Sequence, residues 1–107
     1  MNLDRISKLE KLLAADPSDA FVLYSLAQEH GKGTSAGEVA QSLALYDRCI
    51  AADPNYCYAY YHRAKLLSEQ ERTEDAVRTL KDGLRIAKSA NDNKALNELS
   101  ALLDELE

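Results

Sequence analysis

The sequence predicts an all-α protein built from stacked pairs of antiparallel helices. Apolar residues recur at helical spacing along most of its 107 residues, whereas no lasting alternation and no Asn-Gly or Asp-Gly turn indicates a β-hairpin. Two Asp-Pro steps separate the periodic segments. Each step is the end of the tetrapeptide Ala-Ala-Asp-Pro, which occurs twice in the chain. Together these observations predict short helices arranged in a repeated unit.

The first predicted helix occupies residues 1–16 and is amphipathic. Its apolar residues form one stripe, which consists of Leu3, Ile6, Leu9, Leu12 and Leu13. Asp16 ends this helix, because the residue before a proline is pushed out of the α region and Pro17 follows. Ser18 is then placed to cap the next helix.

Three further helical segments, rich in Ala, Leu and Tyr, are predicted at residues 19–31, 36–52 and 56–70. Residues 30–37, where the first two segments meet, contain three of the four glycines, and Ser35 with Glu38 has the spacing of a capping box there. Asp53 precedes Pro54 and therefore ends the second segment. Asn55 is the predicted cap of the third segment.

Two amphipathic helices complete the chain. The first lies near residues 74–89, and its apolar stripe consists of Ala76, Val77, Leu80, Leu84 and Ala87. Thr73 is predicted to start it, because Glu74 and Asp75 then form an acidic first turn that suits the helix dipole. The second occupies residues 92–107, and its stripe consists of Leu96, Leu99, Leu102, Leu103 and Leu106.

The composition argues against several classes of protein and several classes of binding partner. A chain with 46% apolar and 29% charged residues is too hydrophobic to be disordered, and no apolar run approaches the roughly 20 residues that span a membrane. The net charge of −5 argues against nucleic acid and anionic membrane surfaces as partners. Charged residues interrupt the N-terminal segment, so no signal peptide is indicated and we expect a cytoplasmic protein.

An internal repeat organises the helices. Ala14-Ala15-Asp16-Pro17 recurs as Ala51-Ala52-Asp53-Pro54, at an interval of 37 residues. An aromatic-rich helix, a turn and an amphipathic helix follow each copy, which is typical of stacked helix pairs. The pattern resembles that of the tetratricopeptide repeat (TPR) family, whose unit has about 34 residues and a W-x2-L-G-x2-Y…A-x3-F…P signature.

The resemblance extends over both units of the repeat. In the second unit the matching residues are Tyr60, Ala64, Leu67, Ala76, Leu80 and Gly83, while Lys88 replaces the proline and Arg63 an expected leucine. In the first unit they are Leu23, Leu26, Ala27, His30, Ser42, Tyr46, Cys49 and Pro54. Ala27 and Ala64 are small where two helix backbones have to approach closely.

This resemblance implies a single domain over residues 1–107, folded as a short right-handed superhelix. Its expected parts are an N-terminal half-repeat helix at 1–16, a first repeat at 18–53, a second repeat at 55–89 and a C-terminal capping helix at 92–107. A repeat cannot bury its own apolar face, so both end helices are expected to be needed for stability.

The sequence offers little for catalysis or metal binding. His30 and His62 lie in no His-Glu-x-x-His motif, and Cys49 and Cys57 have no zinc-site spacing. The segment Gly31-Lys32-Gly33-Thr34 lacks the upstream glycine and strand of a phosphate-binding loop, so we interpret it as a turn. We expect no enzymatic activity, no cofactor and no metal. His30 is expected in the core or in contact with a loop.

In TPR proteins the first helices of successive units line a concave groove that holds extended peptides. The resemblance places Tyr24 and Gln28 of the first unit on this groove, together with Tyr58, Tyr61, His62 and Lys65 of the second. Phe21 and Ser25 are weaker candidates for the same surface. The alternative is that these side chains, the aromatic ones above all, pack against neighbouring helices.

Some family members clamp the C-terminal carboxylate of a peptide with lysine and asparagine residues. At the matching positions this chain has Tyr24, Gln28 and His62, which argues against binding of that type. His62 and Lys65 are expected to leave a small basic spot for an acidic group of a partner.

The resemblance predicts a non-catalytic module that binds a partner protein or peptide in the groove. The alternative is a structural protein that self-associates through the apolar stripes of its end helices, for example as a homodimer.

Overall fold

A computed structural model describes residues 2–107, and in this range it contains six helices and no strand. The helices are α1 (Leu3–Ala15), α2 (Ala20–Gly31), α3 (Ala36–Ala52), α4 (Cys57–Glu69), α5 (Thr73–Ser89) and α6 (Asn93–Leu106). The predicted all-α fold is therefore confirmed. None of the helices in this range is long and apolar enough to cross a lipid bilayer.

The chain divides into two compact units at the boundary between Asp53 and Pro54. The first unit contains α1, α2 and α3, and the second contains α4, α5 and α6. In each unit two helices form the antiparallel pair of a repeat. These are α2 with α3 in the first unit and α4 with α5 in the second.

Both Asp-Pro steps end a helix as predicted. Asp16 and Asp53 follow the last residues of α1 and α3, and both have extended backbones with φ near −143°. Ser18 does not cap α2, contrary to the prediction. Its hydroxyl and its backbone N–H both donate to the Asp16 carboxylate, and the cap is Asp19, whose carboxylate accepts from the Val22 N–H.

The other predicted caps have mixed outcomes. Ser35 caps α3 as expected, because its hydroxyl accepts a hydrogen bond of 3.2 Å from the Glu38 N–H. Asn55 was a wrong prediction, since α4 begins after Tyr56, which makes no side-chain capping bond. Thr73 starts α5 as predicted, with Glu74 and Asp75 in an acidic first turn.

The helices α4 and α5 end in the same type of turn, and no glycine takes part in it. Glu71 and Asn91 have left-handed backbones, with φ of 60° and 55°. Three residues past each helix end, a backbone N–H donates to a carbonyl of the last turn, from Arg72 to Leu67 and from Asp92 to Ala87, each over 2.9 Å. This is the Schellman arrangement, and in α5 it replaces the proline that the family pattern led us to expect.

In the first unit, small and polar side chains hold α2 against α3. Ala27 and Ser42 are both fully buried, and the Ser42 hydroxyl donates to the Ala27 carbonyl over 2.6 Å. Cys49 is fully buried as well, and its Sγ donates to the Ala20 carbonyl over 3.3 Å. The predicted close approach at Ala27 is thus confirmed.

A buried carboxylate joins α1 to α2. Glu29 is only 3% exposed, and it pairs with Arg5 Nε at 3.1 Å and with Lys32 Nζ at 3.0 Å. It also accepts a hydrogen bond of 3.3 Å from the Asn2 backbone N–H. The hydrogen bond from Lys32 is the main reason why the pKa of Glu29 lies below its ordinary value, and it outweighs the opposing effect of burial.

In the second unit, α4, α5 and α6 share one apolar core. Its fully buried members include Ala64, Leu67, Ala76, Leu80 and Leu99. Arg63, at the position where leucine was expected, donates to the Thr79 hydroxyl over 2.6 Å. The α4–α5 contact is therefore partly polar, but the predicted close approach at Ala64 is confirmed.

Candidate functional site

The side of α2 that faces solvent, called its open side below, carries an exposed aromatic residue. Phe21 is 62% exposed, and Tyr24 and Gln28, at helical spacing from it, are half-buried. Ser25 is only 3% exposed and therefore belongs to the core. The Tyr24 ring meets the buried Tyr46 ring of α3 edge-on, with centroids 6.2 Å apart, so Tyr24 both packs and remains partly accessible.

The corresponding side of α4 is richer in side chains that can bind a ligand. Its four candidate residues, Tyr58, Tyr61, His62 and Lys65, are called the α4 face below. Tyr58, Tyr61 and His62 are half-buried, while Lys65 is exposed. The Tyr61 and His62 rings meet edge to face, with centroids 5.1 Å apart and planes at 85°. All four candidates are thus accessible to a ligand.

A carboxylate that the sequence analysis missed borders the α4 face. Glu98 of α6 is half-buried, and its carboxylate lies near enough to Tyr58 and His62 to influence the pKa of both. Burial raises the pKa of Tyr58, and the nearby Glu98 and Asp92 carboxylates raise it further. The Tyr58 hydroxyl therefore stays protonated at neutral pH. The available signal was the position of Glu98 beside the predicted apolar stripe of α6.

His62 is a neutral residue of the α4 face. Burial lowers its pKa below the ordinary value of 6.5, the Lys65 ammonium lowers it further, and Glu98 opposes both effects. At neutral pH the imidazole is therefore uncharged. Of the two residues in the predicted basic spot, Lys65 alone carries a positive charge at neutral pH. Glu98 brings a negative charge close to His62.

The candidate residues on α2 and those on α4 belong to different units. That they line one groove remains a prediction from the family resemblance. On α2 the candidates Phe21, Tyr24 and Gln28 are uncharged. On the α4 face, charge comes from Lys65 and from the neighbouring Glu98. The second unit therefore has the more distinctive chemistry.

Other residues considered in the sequence analysis have structural surroundings. Between residues 2 and 107, no group of three or more His, Cys, Asp or Glu side chains is placed to hold a metal ion. Burial, with a smaller contribution from Asp53, raises the pKa of the Cys49 thiol to about 11. Lys32, in the glycine-rich turn, pairs with Glu29. His30 is buried as expected, and its Nδ1 has no hydrogen-bond partner in the described range.

Comparison with known proteins identifies what the chain is similar to. A tetratricopeptide repeat family model matches residues 45–78, from the middle of α3 to the first half of α5. No curated protein matches the chain significantly.

Solved structures match nearly the whole chain. The solution structure of a tetratricopeptide repeat domain protein from Salinibacter ruber is 37% identical, covers 86% of this chain and 90% of its own, and has a TM-score of 0.76. A crystal structure of a Salinibacter ruber tetratricopeptide repeat domain protein is 35% identical, with 82% and 94% covered and a TM-score of 0.71.

A more distant structure shares the fold. The TPR2B domain of yeast Sti1, solved in a complex with pHsp70, has a TM-score of 0.83 over 94% of this chain and 78% of its own. Its sequence identity is 19%, so the likeness concerns the arrangement of helices.

Proposed function

Because the chain belongs to the tetratricopeptide repeat family, we propose that it is a non-catalytic module that binds a segment of a partner protein through the α4 face. Helical repeats of this kind serve as protein-interaction modules through such surfaces. The observation that carries the proposal is the α4 face, where two tyrosines, a neutral histidine and an exposed lysine lie together.

The residue types of the α4 face suit a binding surface. Tyrosine combines a broad apolar ring with a polar hydroxyl, so it gains contact area without leaving an unpaired polar group. Tyrosines are accordingly frequent among the residues that dominate binding energies. Phe21, exposed on α2, offers a further apolar contact.

The surface is small, and we expect a modest affinity. Each unit presents the open side of one first helix, which limits the area that a segment can cover. A dissociation constant of about 1 μM, on the order of −8 kcal/mol, is consistent with such a surface. The segment is expected to come from a protein or peptide rather than a nucleic acid, because the net charge of the chain is −5.

Partner capture with matched variants tests the proposal. The full chain is immobilised as wild type, as the double variant Tyr61→Ala/Lys65→Ala and as the control Lys88→Ala, which removes an exposed lysine from α5. We expect the double variant to recover partner about tenfold less efficiently, and the control to behave as wild type. Equal recovery by all three proteins would place the binding site elsewhere.

Exposed leucines on α1 favour a second candidate function, self-association. Leu3 and Leu12 are 70% and 56% exposed, and burying such side chains against a second copy would be favourable. Sedimentation at several concentrations tests this, with Leu3→Gln/Leu12→Gln as the variant. A wild-type protein that remains monomeric at every concentration would eliminate the homodimer.

A further inference from the structure

Helix α1 is the equivalent of α3 in the repeat. The recurring Ala-Ala-Asp-Pro segment places each residue of α1 37 positions before its counterpart in α3. On the side of α3 that faces α2, Ser42 and Cys49 are fully buried, and each donates to an α2 carbonyl. Their counterparts are Arg5 and Leu12, which share one side of α1 with Lys8, and all three are exposed. These three residues are called the α1 surface below.

Leu12 is the apolar residue of the α1 surface. It is 56% exposed, whereas its counterpart Cys49 is fully buried. Leu3 is exposed too, but it lies about half a turn around the helix from Leu12. Its counterpart Ala40 is also exposed in α3. Leu12 therefore occupies a position that the repeat buries against a first helix, and Leu3 does not.

Helix α6 is the equivalent of α4. The two helices begin 36 residues apart. At this interval the buried Ala59 of α4 matches the buried Ala95 of α6. Leu66 and Leu102 match in the same way, and both are buried. Helix α6 thus has the pattern of the first helix of a further repeat.

The same equivalence identifies the side of α6 on which a second helix would pack. In α4 this side consists of Tyr60, Ala64 and Leu67, all buried, and α5 covers it where Gly83 lies against Tyr60. Their counterparts in α6 are only half-buried. These counterparts, called the α6 surface below, are Leu96, Ser100 and Leu103. Like Ala64, Ser100 is small, which permits the close approach of a second helix.

The charges of the two helices are complementary. Helix α1 carries three basic and two acidic side chains, whereas α6 carries one basic and three acidic ones. Lys8 and Lys11 of α1 are exposed. Asp104 and Glu105 near the end of α6 are exposed as well. Complementary charges favour α1 against α6, while two copies of either helix would bring like charges together.

We infer that α1 of one copy packs antiparallel on α6 of a second copy, so that the α1 surface covers the α6 surface and the two helices complete a repeat. This inference rests on the self-association proposed above, because it specifies which surfaces meet. By equivalence with α2 and α3, Leu12 lies beside Leu96 in this contact. Each copy offers one α1 and one α6, so the contact is heterologous and can continue from copy to copy.

Two single variants distinguish the sides of α1. Leu12→Gln removes the apolar residue of the α1 surface, and Leu3→Gln is the matched control on the opposite side of the same helix. Sedimentation velocity of the full chain at a series of concentrations measures association. We expect the wild type to associate, Leu12→Gln to associate about tenfold more weakly and Leu3→Gln to behave as the wild type.

A mixing experiment tests the pairing of unlike helices. Leu12→Glu blocks the α1 surface with a charge that α6 repels, and Ser100→Arg blocks the α6 surface with a large side chain. Each variant alone is expected to be monomeric. An equimolar mixture is expected to form a dimer, because the first variant retains α6 and the second retains α1. Circular dichroism and thermal unfolding establish that both variants are folded.

The outcomes separate this inference from the proposed functions. If Leu3→Gln weakens association as much as Leu12→Gln, or if the mixture stays monomeric, the pairing of α1 with α6 is refuted and self-association still stands. Dimers of Ser100→Arg alone would likewise refute it, in favour of a symmetric contact. If the wild type is monomeric at every concentration, self-association fails too, whereas binding through the α4 face is decided independently by partner capture.

Discussion

Tyr60 of α4 lies so close to Gly83 of α5 that a Cβ atom on the glycine would come within 2.7 Å of the Tyr60 Cβ atom. It would also approach Leu99 Cδ2 of α6 to 3.2 Å. Tyr60 cannot swing away easily, because its ring is buried and its hydroxyl donates to the Pro54 carbonyl over 3.0 Å. Gly83 therefore lies at a close contact of all three helices of the second unit.

Replacing this glycine is expected to destabilise the protein. Alanine in a helix normally gains about 1 kcal/mol over glycine, but overpacking a filled core costs about 1–3 kcal/mol. We expect Gly83→Ala to lower the free energy of unfolding in urea. Gly37→Ala is the matched control, since nothing lies within 4 Å of its Cβ position, and it should raise stability by about 0.5–1 kcal/mol. Equal gains in both variants would contradict the close contact.

The left-handed residue after α4 is a site for stabilisation. Glu71 has a φ of 60°, a conformation that costs a non-glycine residue about 1–2 kcal/mol. Glu71→Gly should therefore increase the free energy of unfolding by about 0.5–1 kcal/mol. Asn91 adopts the same conformation, but asparagine tolerates it better, so Asn91→Gly should gain less. Urea denaturation measures both, and a loss of stability in Glu71→Gly would refute this account of the turn.

Stability should depend on pH through Glu29. Its pKa is lower in the folded protein than its ordinary value of 4.5, so its contribution is complete above the pKa of the unfolded chain. That contribution is lost as the pH falls through the lower pKa of the folded state. Glu29→Gln should cost about 1–3 kcal/mol at pH 7, since the groups around it lose their charged partner.

The difference between wild type and Glu29→Gln should then shrink as the pH falls below about 4.5. Urea titrations at a series of pH values measure it. Glu10→Gln, at an exposed position on α1, is the control and should change stability little at any pH. A difference that stays constant between pH 7 and pH 3 would show that the charge of Glu29 contributes nothing.

Helix α6 should be required for folding of the second unit. It buries Ala95, Leu99 and Leu102 against the rest of the unit, and its removal leaves their partners exposed. We expect deletion of residues 92–107 to abolish the cooperative thermal transition. Leu99→Ala should have a graded effect of about 2–5 kcal/mol. Differential scanning calorimetry measures both, and a truncated chain with an unchanged midpoint would refute the prediction.

The repeated sequence pattern was sufficient to predict the helices and the small residues between them. Asp16 and Asp53 end helices because the conformation before proline is a local property. Ala27 and Ala64 are fully buried, as expected from their place in the repeat. Helix periodicity and proline geometry are both encoded within a few residues, so they can be deduced from one sequence.

The features that could not be predicted depend on residues far apart in the chain or on atypical turns. The influence of Glu98 on Tyr58 arises only when α6 packs beside α4, which periodicity does not specify. The ion pair between the buried Glu29 and the exposed Arg5 has the same origin. The turn at Glu71 lacks the glycine by which such turns are usually found.

The buried thiols provide natural probes of local opening. The chain has two cysteines, and the boundary after Asp53 assigns Cys49 to the first unit and Cys57 to the second. Both are inaccessible in the folded state, and a thiol with the raised pKa of Cys49 supplies almost no thiolate for alkylation. Each thiol is therefore labelled only when its unit opens locally. Mass spectrometry follows the labelling of the two cysteines separately, so the opening rates of the two units can be measured without an engineered tag.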